Sequence, residues 1–325
     1  MELLAEPVLF NHWHVVGRSQ DLKAGKVLSV RLLEEDLVLW RDDTQALAWQ
    51  NRCPHRGARL SLGKVVNNTL VCPYHGLAYN SRGCCVKIPA QPTGSPPAQV
   101  NVQTYQTQER YGLVWVCLGK PDRDIPNFSE WDDPSYRRIC CGPYHYRSSA
   151  FRALENFLDI AHFPFVHGGL LGDPEHPEIA DYQVEASRDG ITVRNLRVWQ
   201  PDPDGTGQAA PVTYEYQVLR PLTAYFCKQS NGRRFAIFFN LTPVNQEECI
   251  GWMWIAMNYA REVPEAELRA FQDKLVAQDI AIVESQRPQR LPLDLQAEVH
   301  LLSDRASIAY RKWLKQLGVT FGVTP

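Results

Sequence analysis

The sequence lacks the features that would place the chain in a membrane, on nucleic acid or in a secretory pathway. No stretch approaches the roughly 20 consecutive apolar residues of a membrane-spanning helix. The formal net charge is −2 over 325 residues, which provides no basic surface for a polyanion. The first residues, MELLAEPVLFNHW, are acidic and contain no positive segment before an apolar one. We therefore expect a cytoplasmic protein that binds neither membrane nor nucleic acid.

The cysteines are few, and they are not arranged as a disulfide framework. The chain has nine, an odd number, and they include the adjacent pairs Cys84–Cys85 and Cys140–Cys141. Adjacent cysteines rarely form such a framework, so free thiols in a reducing compartment are the expected state.

Two loops of the same build contain one cysteine and one histidine each. The first reads Cys-Pro-His from Cys53 to His55, and the second reads Cys-Pro-Tyr-His from Cys72 to His75. Structural zinc sites usually pair cysteine with cysteine and histidine with histidine. A Rieske [2Fe–2S] cluster needs mixed loops, because two thiolates hold one iron and two imidazoles hold the other. The pattern favours this cluster over a zinc site or unligated core residues.

The pattern of predicted strands and helices divides the chain into two domains. Residues 8–118 read as short alternating strands with turn signals, an all-β domain that carries both loops. Residues 119–325 begin with a linker, and a helix in RALENFLDIAHF then precedes a long antiparallel region and a helical final third. The predicted fold class is therefore α+β. Residues 1–7 could pack on the second domain, which contains the antiparallel sheet.

A second group of potential metal ligands lies in LENFLDIAHFPFVHGG. Asp159 and His162 are three residues apart and would share a helical face, and His167 is five residues further on. Pro164 discourages a continuous helix, which would let His167 turn back toward His162. Two imidazoles and one carboxylate form the facial triad of non-haem Fe(II) oxygenases. Histidines spaced in this way are often surface or core residues, but the two loops favour a metal.

The third ligand is expected on a helix between about residues 264 and 286. Its apolar residues recur at intervals of three and four: Leu268, Phe271, Leu275 and Ile282. Asp279 fills the gap in this stripe, and a carboxylate on a buried face is costly unless it is paired or ligating. Asp279 is thus the predicted ligand, and the alternative is an ion pair with an arginine such as Arg287 or Arg290. Asp273 and Glu284 fall off the stripe and are predicted to be solvated.

These motifs together resemble the α-subunit of Rieske non-haem iron oxygenases over nearly the whole chain. The resemblance rests on Cys-x-His…Cys-x-x-His and on Asp-x-x-His-x-x-x-x-His. The segments HFPFVHGGLLGD and SDRASIAYRKWLKQLGVTFG look most similar to the saxitoxin-pathway hydroxylases, small α-only enzymes that act on a guanidinium alkaloid. Related small members demethylate or hydroxylate aromatic acids and N-methyl heterocycles. One departure is Leu77, where many Rieske oxygenases carry tryptophan.

The resemblance implies a Rieske domain joined to a helix-grip (START-like) catalytic domain, in a head-to-tail homotrimer. It implies one Rieske cluster and one mononuclear Fe(II), with O₂ as co-substrate and NAD(P)H electrons delivered by a separate reductase or ferredoxin. It also implies that Asp159 bridges His162 to His75 of a neighbouring subunit. The expected reaction is hydroxylation or oxidative demethylation of a small substrate, either guanidinium alkaloid-like or a heterocyclic or aromatic compound.

The substrate pocket is expected on a bulky apolar wall in the second domain. Its candidate residues are Leu196, Trp199, Trp252, Met253 and Trp254, although each could equally belong to an ordinary core. Two other classes of protein compete with the oxygenase. A Rieske electron carrier would be far shorter and would lack the second ligand group, and a START-like binding protein would hold only a structural metal.

Overall fold

The computed structural model describes residues 6–325, which form two compact units. The first unit comprises residues 10–125, and the second comprises residues 6–9 and 126–325. The sequence places the boundary between residues 118 and 119. The segment that follows Cys117 instead remains with the first unit, because Gly119 donates a backbone hydrogen bond to Phe10 and Arg110 donates to the carbonyl of Ile125.

The first unit consists of two antiparallel sheets. Its strands are β1 (His14–Arg18), β2 (Val27–Leu32), β3 (Glu35–Arg41), β4 (Ala46–Gln50), β5 (Lys64–Val66), β6 (Thr69–Val71), β7 (Ala78–Tyr79), β8 (Cys85–Lys87), β9 (Thr104–Arg110) and β10 (Leu113–Cys117). One sheet has six strands in the order β1-β10-β9-β4-β3-β2, and the other has four in the order β5-β6-β7-β8. Trp40 and Trp49 pack edge to face at 4.9 Å in the core beneath the two cysteine–histidine loops.

The second unit is a seven-stranded antiparallel sheet with helices packed on it. Its strands are β11 (Arg137–Tyr146), β12 (Gln183–Ser187), β13 (Gly190–Gln200), β14 (Ala210–Arg220), β15 (Thr223–Ser230), β16 (Arg233–Asn245), β17 (Glu248–Met257), β18 (Leu291–Pro292) and β19 (Val323–Thr324). The large sheet has the order β11-β17-β16-β15-β14-β13-β12, while β18 and β19 pair separately. The predicted hairpin is β16 and β17.

Five helices accompany the strands in the described part of the chain. They are α1 (Pro7–Phe10), α2 (Ala150–Leu158), α3 (Phe163–Val166), α4 (Glu265–Val283) and α5 (Arg305–Leu317). The long helix α4 packs against α2 and β11, which is the helix-grip arrangement. Within residues 6–325, no helix is long and apolar enough to cross a membrane.

Buried ion pairs connect the helices of the second unit. Arg311 on α5 donates hydrogen bonds of 2.6 and 2.7 Å to the two carboxylate oxygens of Glu155 on α2. Glu298 accepts from both Arg311 and Arg152, and the two arginines are almost fully buried. The network fixes the orientation of α2, which lies directly before the second ligand group.

The start of the described chain is attached to the second unit. Glu6 accepts hydrogen bonds from the Thr320 hydroxyl at 2.9 Å and from the Phe321 backbone at 3.0 Å. Residues 6–9 therefore pack on this unit. The rest of the predicted packing of residues 1–7 concerns residues 1–5, which lie outside the described residues.

Candidate metal centres and substrate cavity

The two cysteine–histidine loops of the first unit have the same backbone geometry. The N–H of Cys53 donates to the carbonyl of Ala58, and the N–H of Cys72 donates to the carbonyl of Leu77, both at 2.8 Å. In each loop a glycine with φ near 70°, Gly57 or Gly76, donates back to the cysteine carbonyl. This positive φ is readily available to glycine, so the glycine after each histidine closes the loop.

The side chains of the two loops point in opposite directions. Cys53 and Cys72 are each 1% exposed, and burial raises the pKa of the Cys72 thiol. His55 and His75 are exposed, and their rings lie 4.6 Å apart between centroids. Two inner sulfurs and two outer imidazoles fit the asymmetric ligand set of a Rieske cluster.

Tyr79 and Leu77 also lie next to the two loops. Tyr79 Oη lies 3.1 Å from Cys53 Sγ, and a tyrosine O–H that donates to a thiolate would tune the potential of a cluster held there. Tyr79 was not predicted from the sequence. Leu77, the departure from the family pattern, is buried in the core below the loops, and its carbonyl still closes the second loop.

In the second unit, three potential metal ligands converge on one point. His162 Nε2 lies 3.2 Å from His167 Nε2. Asp279 Oδ1 lies 3.3 Å from the first of these atoms and 3.1 Å from the second. The three ligand atoms therefore lie close enough together to hold one metal ion.

The hydrogen bonds of the two histidines direct their lone pairs toward this point. His162 Nδ1 faces Asp159 Oδ2 at 3.4 Å, and His167 Nδ1 faces Gln278 Oε1 at 2.9 Å. Because both partners are acceptors, each neutral ring carries its proton on Nδ1 and leaves Nε2 unprotonated. Asp279 Oδ1 is buried and has no hydrogen-bond partner among the described residues. Three acceptor atoms without a proton between them fit a bound cation.

The pKa values of His162 and Asp279 are both shifted by the charges of their neighbours. Burial would lower the pKa of His162, but interactions with the carboxylates of Asp159 and Asp279 raise it to about 9. Burial would raise the pKa of Asp279, yet interactions with His162 and His167 hold it below its ordinary value. The raised pKa of His162 shows that the two carboxylates stabilise positive charge at this point, and the lowered pKa of Asp279 shows that the histidines favour its ionised form.

The local backbone differs from the predicted helix. Helix α2 ends at Leu158, and Asp159 has extended angles, φ −83° and ψ 127°. Asp159 and His162 therefore meet across a turn and not along a helical face. Pro164 does not break a helix either, because it lies in the first turn of α3, where proline is tolerated. His162 immediately precedes this short helix and His167 follows it, which brings the two rings together.

The apolar stripe predicted on α4 is confirmed except at one residue. Phe271 and Ile282 are 39% and 45% exposed. The face turned inward consists of Gln272, Leu275, Val276, Asp279 and Val283. Asp279 lies on this face, as predicted, and Leu268 and Phe271 line a cavity together with it. Ile282 is the one residue of the predicted stripe that does not.

The remaining charged residues near α4 have other partners. Asp273 is exposed and accepts a hydrogen bond from Tyr144 at 2.7 Å. Glu284 is not simply solvated as predicted, because it pairs with Arg147 at 2.9 Å. Arg290 pairs with Glu247, and Arg287 donates to backbone carbonyls, so the alternative ion pair with Asp279 does not form.

A cavity of about 340 Å³ lies in the second unit and includes the three converging residues in its wall. Much of the rest of the wall is aromatic: Phe157, Tyr214, Tyr216, Phe226, Phe235 and Phe239. The ring of Phe157 contacts those of Phe239 and Phe226, with centroids 5.0 and 5.4 Å away. The size and lining suit a small planar molecule.

Of the five predicted pocket residues, only Met253 lines this cavity. Successive side chains of a strand point to opposite faces, so Trp252 and Trp254 lie on the other side of β17. Trp252 donates to Thr242 at 2.8 Å, and Trp254 packs on Trp131. The prediction was therefore wrong for these tryptophans.

The two predicted pocket residues on β13 also lie elsewhere. Leu196 is buried opposite Tyr214 in the sheet, next to a register shift, and does not reach the cavity. Trp199 packs on His176 at 4.4 Å. A bulge in β13 changes the alternation of its side chains, and Asn195 within it has a positive φ of 60°.

Two residues near the site were not identified from the sequence, although each carries a recognisable signal. Lys228 lies two residues after Phe226 on β15, so a charged side chain occupies an inward position of a buried strand. Gln278 directly precedes Asp279 and contacts His167. A histidine ligand usually donates its second ring N–H to such an acceptor.

Comparison with known proteins agrees with this two-part organisation. Residues 12–106 match the Rieske [2Fe–2S] domain, and residues 146–320 match the vanillate O-demethylase oxygenase C-terminal domain. The chain is 33% identical to the methylxanthine N1-demethylase NdmA of Pseudomonas putida, over 95% of this chain and 89% of that protein.

Solved structures give the same result. The structure of Pseudomonas putida CBB5 NdmA with caffeine superimposes with a TM-score of 0.84 at 32% identity, covering 95% of this chain and 91% of the other. Dicamba monooxygenase bound to dicamba gives a TM-score of 0.80 at 25% identity, covering 95% and 97%.

The fold and the matched domains define a two-domain iron–sulfur oxygenase. The chain belongs to the Rieske non-haem iron oxygenases, as an α-subunit, which confirms the predicted family. It is a Rieske-type monooxygenase of a small organic substrate, and the hydroxylation or oxidative demethylation expected from the sequence stands. The electron carrier and the START-like binding protein each account for only one part of the chain.

Proposed function

We propose that this enzyme removes a methyl group from nitrogen or oxygen of a planar aromatic or heteroaromatic compound. The observation that carries the proposal is the aromatic cavity whose wall includes His162, His167 and Asp279. Similar proteins named for methylxanthine and dicamba demethylation support it. The guanidinium alkaloid suggested by the HFPFVHGGLLGD and C-terminal segments is not part of this proposal, because the relatives described above are demethylases.

The proposed reaction balances with O₂, two electrons and two protons. One oxygen atom enters a C–H bond of the methyl group, and the other leaves as water. The resulting hydroxymethyl group releases formaldehyde and leaves N–H or O–H on the ring. NAD(P)H, acting through a separate reductase or ferredoxin, would supply the electrons in the cytoplasm, where the free cysteines of the described chain would remain reduced.

We assign the ligands as the sequence predicted. Cys53, Cys72, His55 and His75 would hold the Rieske cluster, and His162, His167 and Asp279 would hold Fe(II). When bound, the cluster would relay single electrons and the mononuclear iron would activate O₂.

The surrounding side chains position the ligands and the substrate. Asp159 and Gln278 accept the Nδ1 protons of His162 and His167, which fixes the tautomer that leaves Nε2 free. The rings of Phe157, Phe226 and Phe239 would exclude water and hold a flat substrate beside the ligands.

We further propose that the active enzyme is a homotrimer in which Asp159 also contacts His75 of a neighbouring subunit. Two observations support this arrangement. His75 is exposed, and the side chain of Asp159 is 36% exposed, so both have a surface available to another chain.

A substrate panel tests the proposed reaction. The iron-loaded enzyme, a reductase and NADH are incubated with N-methyl and O-methyl aromatic compounds, including caffeine and dicamba, and O₂ uptake, formaldehyde and demethylated product are measured. We expect formaldehyde and demethylated product in equal amounts for at least one compound. An Asp279→Ala enzyme serves as the inactive control. Ring hydroxylation without formaldehyde, across the substrates that are turned over, would contradict demethylation.

A further inference from the structure

A single lysine interrupts an otherwise apolar row on strand β15. Ala224, Phe226 and Lys228 alternate along the strand and share one face, and the last two line the cavity. The neighbours of Lys228 in the sheet are Tyr214 on β14 and Phe235 on β16, both of which also line the cavity. The ammonium group therefore belongs to the aromatic cavity wall.

The ammonium group of Lys228 has few hydrogen-bond or charge partners among the described residues. Nζ donates to Gln200 Oε1 at 3.1 Å and lies 5.4 Å from the ring centroid of Phe235. No carboxylate of the described residues lies within 4.0 Å of it. The nearby Asp202 and Asp204 accept hydrogen bonds from their own loop and from Asn231.

Gln200 fixes the direction of the lysine. It is fully buried, and its Nε2 donates to the Leu171 carbonyl at 3.1 Å and to Tyr214 Oη at 2.9 Å. A backbone carbonyl only accepts, so the amide cannot be reversed, and Oε1 must face Lys228. An ammonium has three N–H donors, of which this contact uses one.

The charge on Lys228 is costly but present near neutral pH. Burial lowers the pKa of Lys228 to about 8, while Asp202 and Asp204 partly oppose this shift. Below that value the side chain is mainly protonated. A charged donor with unused N–H groups beside apolar rings is stabilised by an acceptor that carries the opposite charge.

We propose that Lys228 binds a carboxylate on the substrate, so that the substrate class is a methylated aromatic or heteroaromatic carboxylate. This inference rests on the proposed function, which it refines by naming the group opposite the aromatic ring. Gln200 acts as the positioning residue, because it orients the ammonium and touches no substrate in this account.

Binding measurements without turnover test the assignment. The iron-loaded enzyme is titrated anaerobically, in the absence of reductase, with matched pairs of ligands followed by calorimetry. The pairs are methoxybenzoate and methoxybenzamide, methoxynaphthoate and methoxynaphthamide, and N-methylindole carboxylate and carboxamide. We expect the carboxylate of at least one pair to bind about tenfold or more tightly than its amide, the strength of a hydrogen bond to a charged group.

Variants separate the lysine from general effects on the cavity. Lys228→Met should abolish the preference for the carboxylate over the amide, whereas Lys228→Arg should retain a preference. Lys274→Met is the matched control, because Lys274 is exposed on α4 and does not line the cavity. An unchanged Rieske spectrum and iron content would verify that each variant is folded.

The outcomes distinguish this inference from the proposed function. The inference is wrong if the wild-type enzyme prefers the carboxylate in none of the pairs, a result that needs no variant. It is also wrong if Lys228→Met retains the preference. Demethylation of neutral rings without dependence on Lys228 would leave the proposed function intact. Carboxylate binding through Lys228 without formaldehyde release would instead support the inference and count against the proposed function.

Discussion

Nε2 of His162 and Nε2 of His167 face each other at 3.2 Å, and in the neutral rings neither atom carries a proton. Two lone pairs directed at each other beside a buried carboxylate oxygen repel one another unless a proton or a metal ion lies between them. The arrangement is thus preorganised for a metal by groups that do not bind it themselves.

Gln278 should control how tightly iron is held. Gln278→Leu removes the acceptor for His167 Nδ1, so the ring loses the partner that fixes its tautomer. We expect the affinity for Fe(II) to fall about 10–100-fold, the usual penalty for losing such a partner. Gln278→Glu, which keeps an acceptor, should restore most of the affinity. Competition with a chelator measures the change, and equal affinity in wild type and Gln278→Leu would contradict the argument.

Asp159→Asn should reduce turnover with both metal centres still loaded. Through the contact with His162 alone we expect a loss of about 10–100-fold. If Asp159 also contacts His75 of a neighbouring subunit, the loss should be larger and confined to electron transfer. Single-turnover kinetics of the pre-reduced variant, together with sizing of the native protein, measure this. A fully active monomer, or normal reoxidation of the Rieske cluster in the variant, would exclude the bridge.

His55→Ala or His75→Ala should each abolish the Rieske EPR signal, because each removes an imidazole from the exposed end of the cluster. The matched control is His176→Ala, which alters a histidine packed on Trp199 in the other unit. That variant should keep the signal. An unchanged signal in His55→Ala or His75→Ala would refute the ligand assignment.

Arg311→Met should destabilise the second unit. Arg311 donates both hydrogen bonds to the buried carboxylate of Glu155, and removing one partner of a buried pair costs about 3–5 kcal/mol. Arg194→Met is the control, since Arg194 pairs with Glu185 at an exposed position where about 0–1 kcal/mol is typical. Urea unfolding followed by circular dichroism compares the two. Equal midpoints would mean that the buried network contributes little.

Features that are determined by adjacent residues could be predicted from the sequence, whereas features that depend on tertiary packing could be predicted only in part. The loops around Cys53 and Cys72 are determined by adjacent residues, so spacing alone indicated their chemistry. Asp279 was found from a helical period, yet Ile282, counted in the same stripe, is exposed and does not line the cavity. The period identifies a direction on α4, but tertiary packing decides which neighbouring residues are covered.

Features that depend on sheet register were not predictable in the same way. Met253 faces the cavity and Trp252 faces away, because the alternation along β17 is fixed by its pairing with β11 and β16. The turn at Asp159 was missed because the apolar period continues past the end of α2. Lys228 was overlooked, although a charge two residues from Phe226 on a buried strand is a visible anomaly.

Metal and sulfide analysis of the purified protein and of Asp279→Ala tests the central claim most directly. Wild type should contain about three irons and two acid-labile sulfides per chain, two irons from the cluster and one from the mononuclear site. Asp279→Ala should lose one iron and keep both sulfides and the Rieske spectrum, whereas Asp273→Ala on the same helix should match wild type. An Asp279→Ala protein that retains about three irons, or a wild-type protein that contains zinc and no sulfide, would contradict the account.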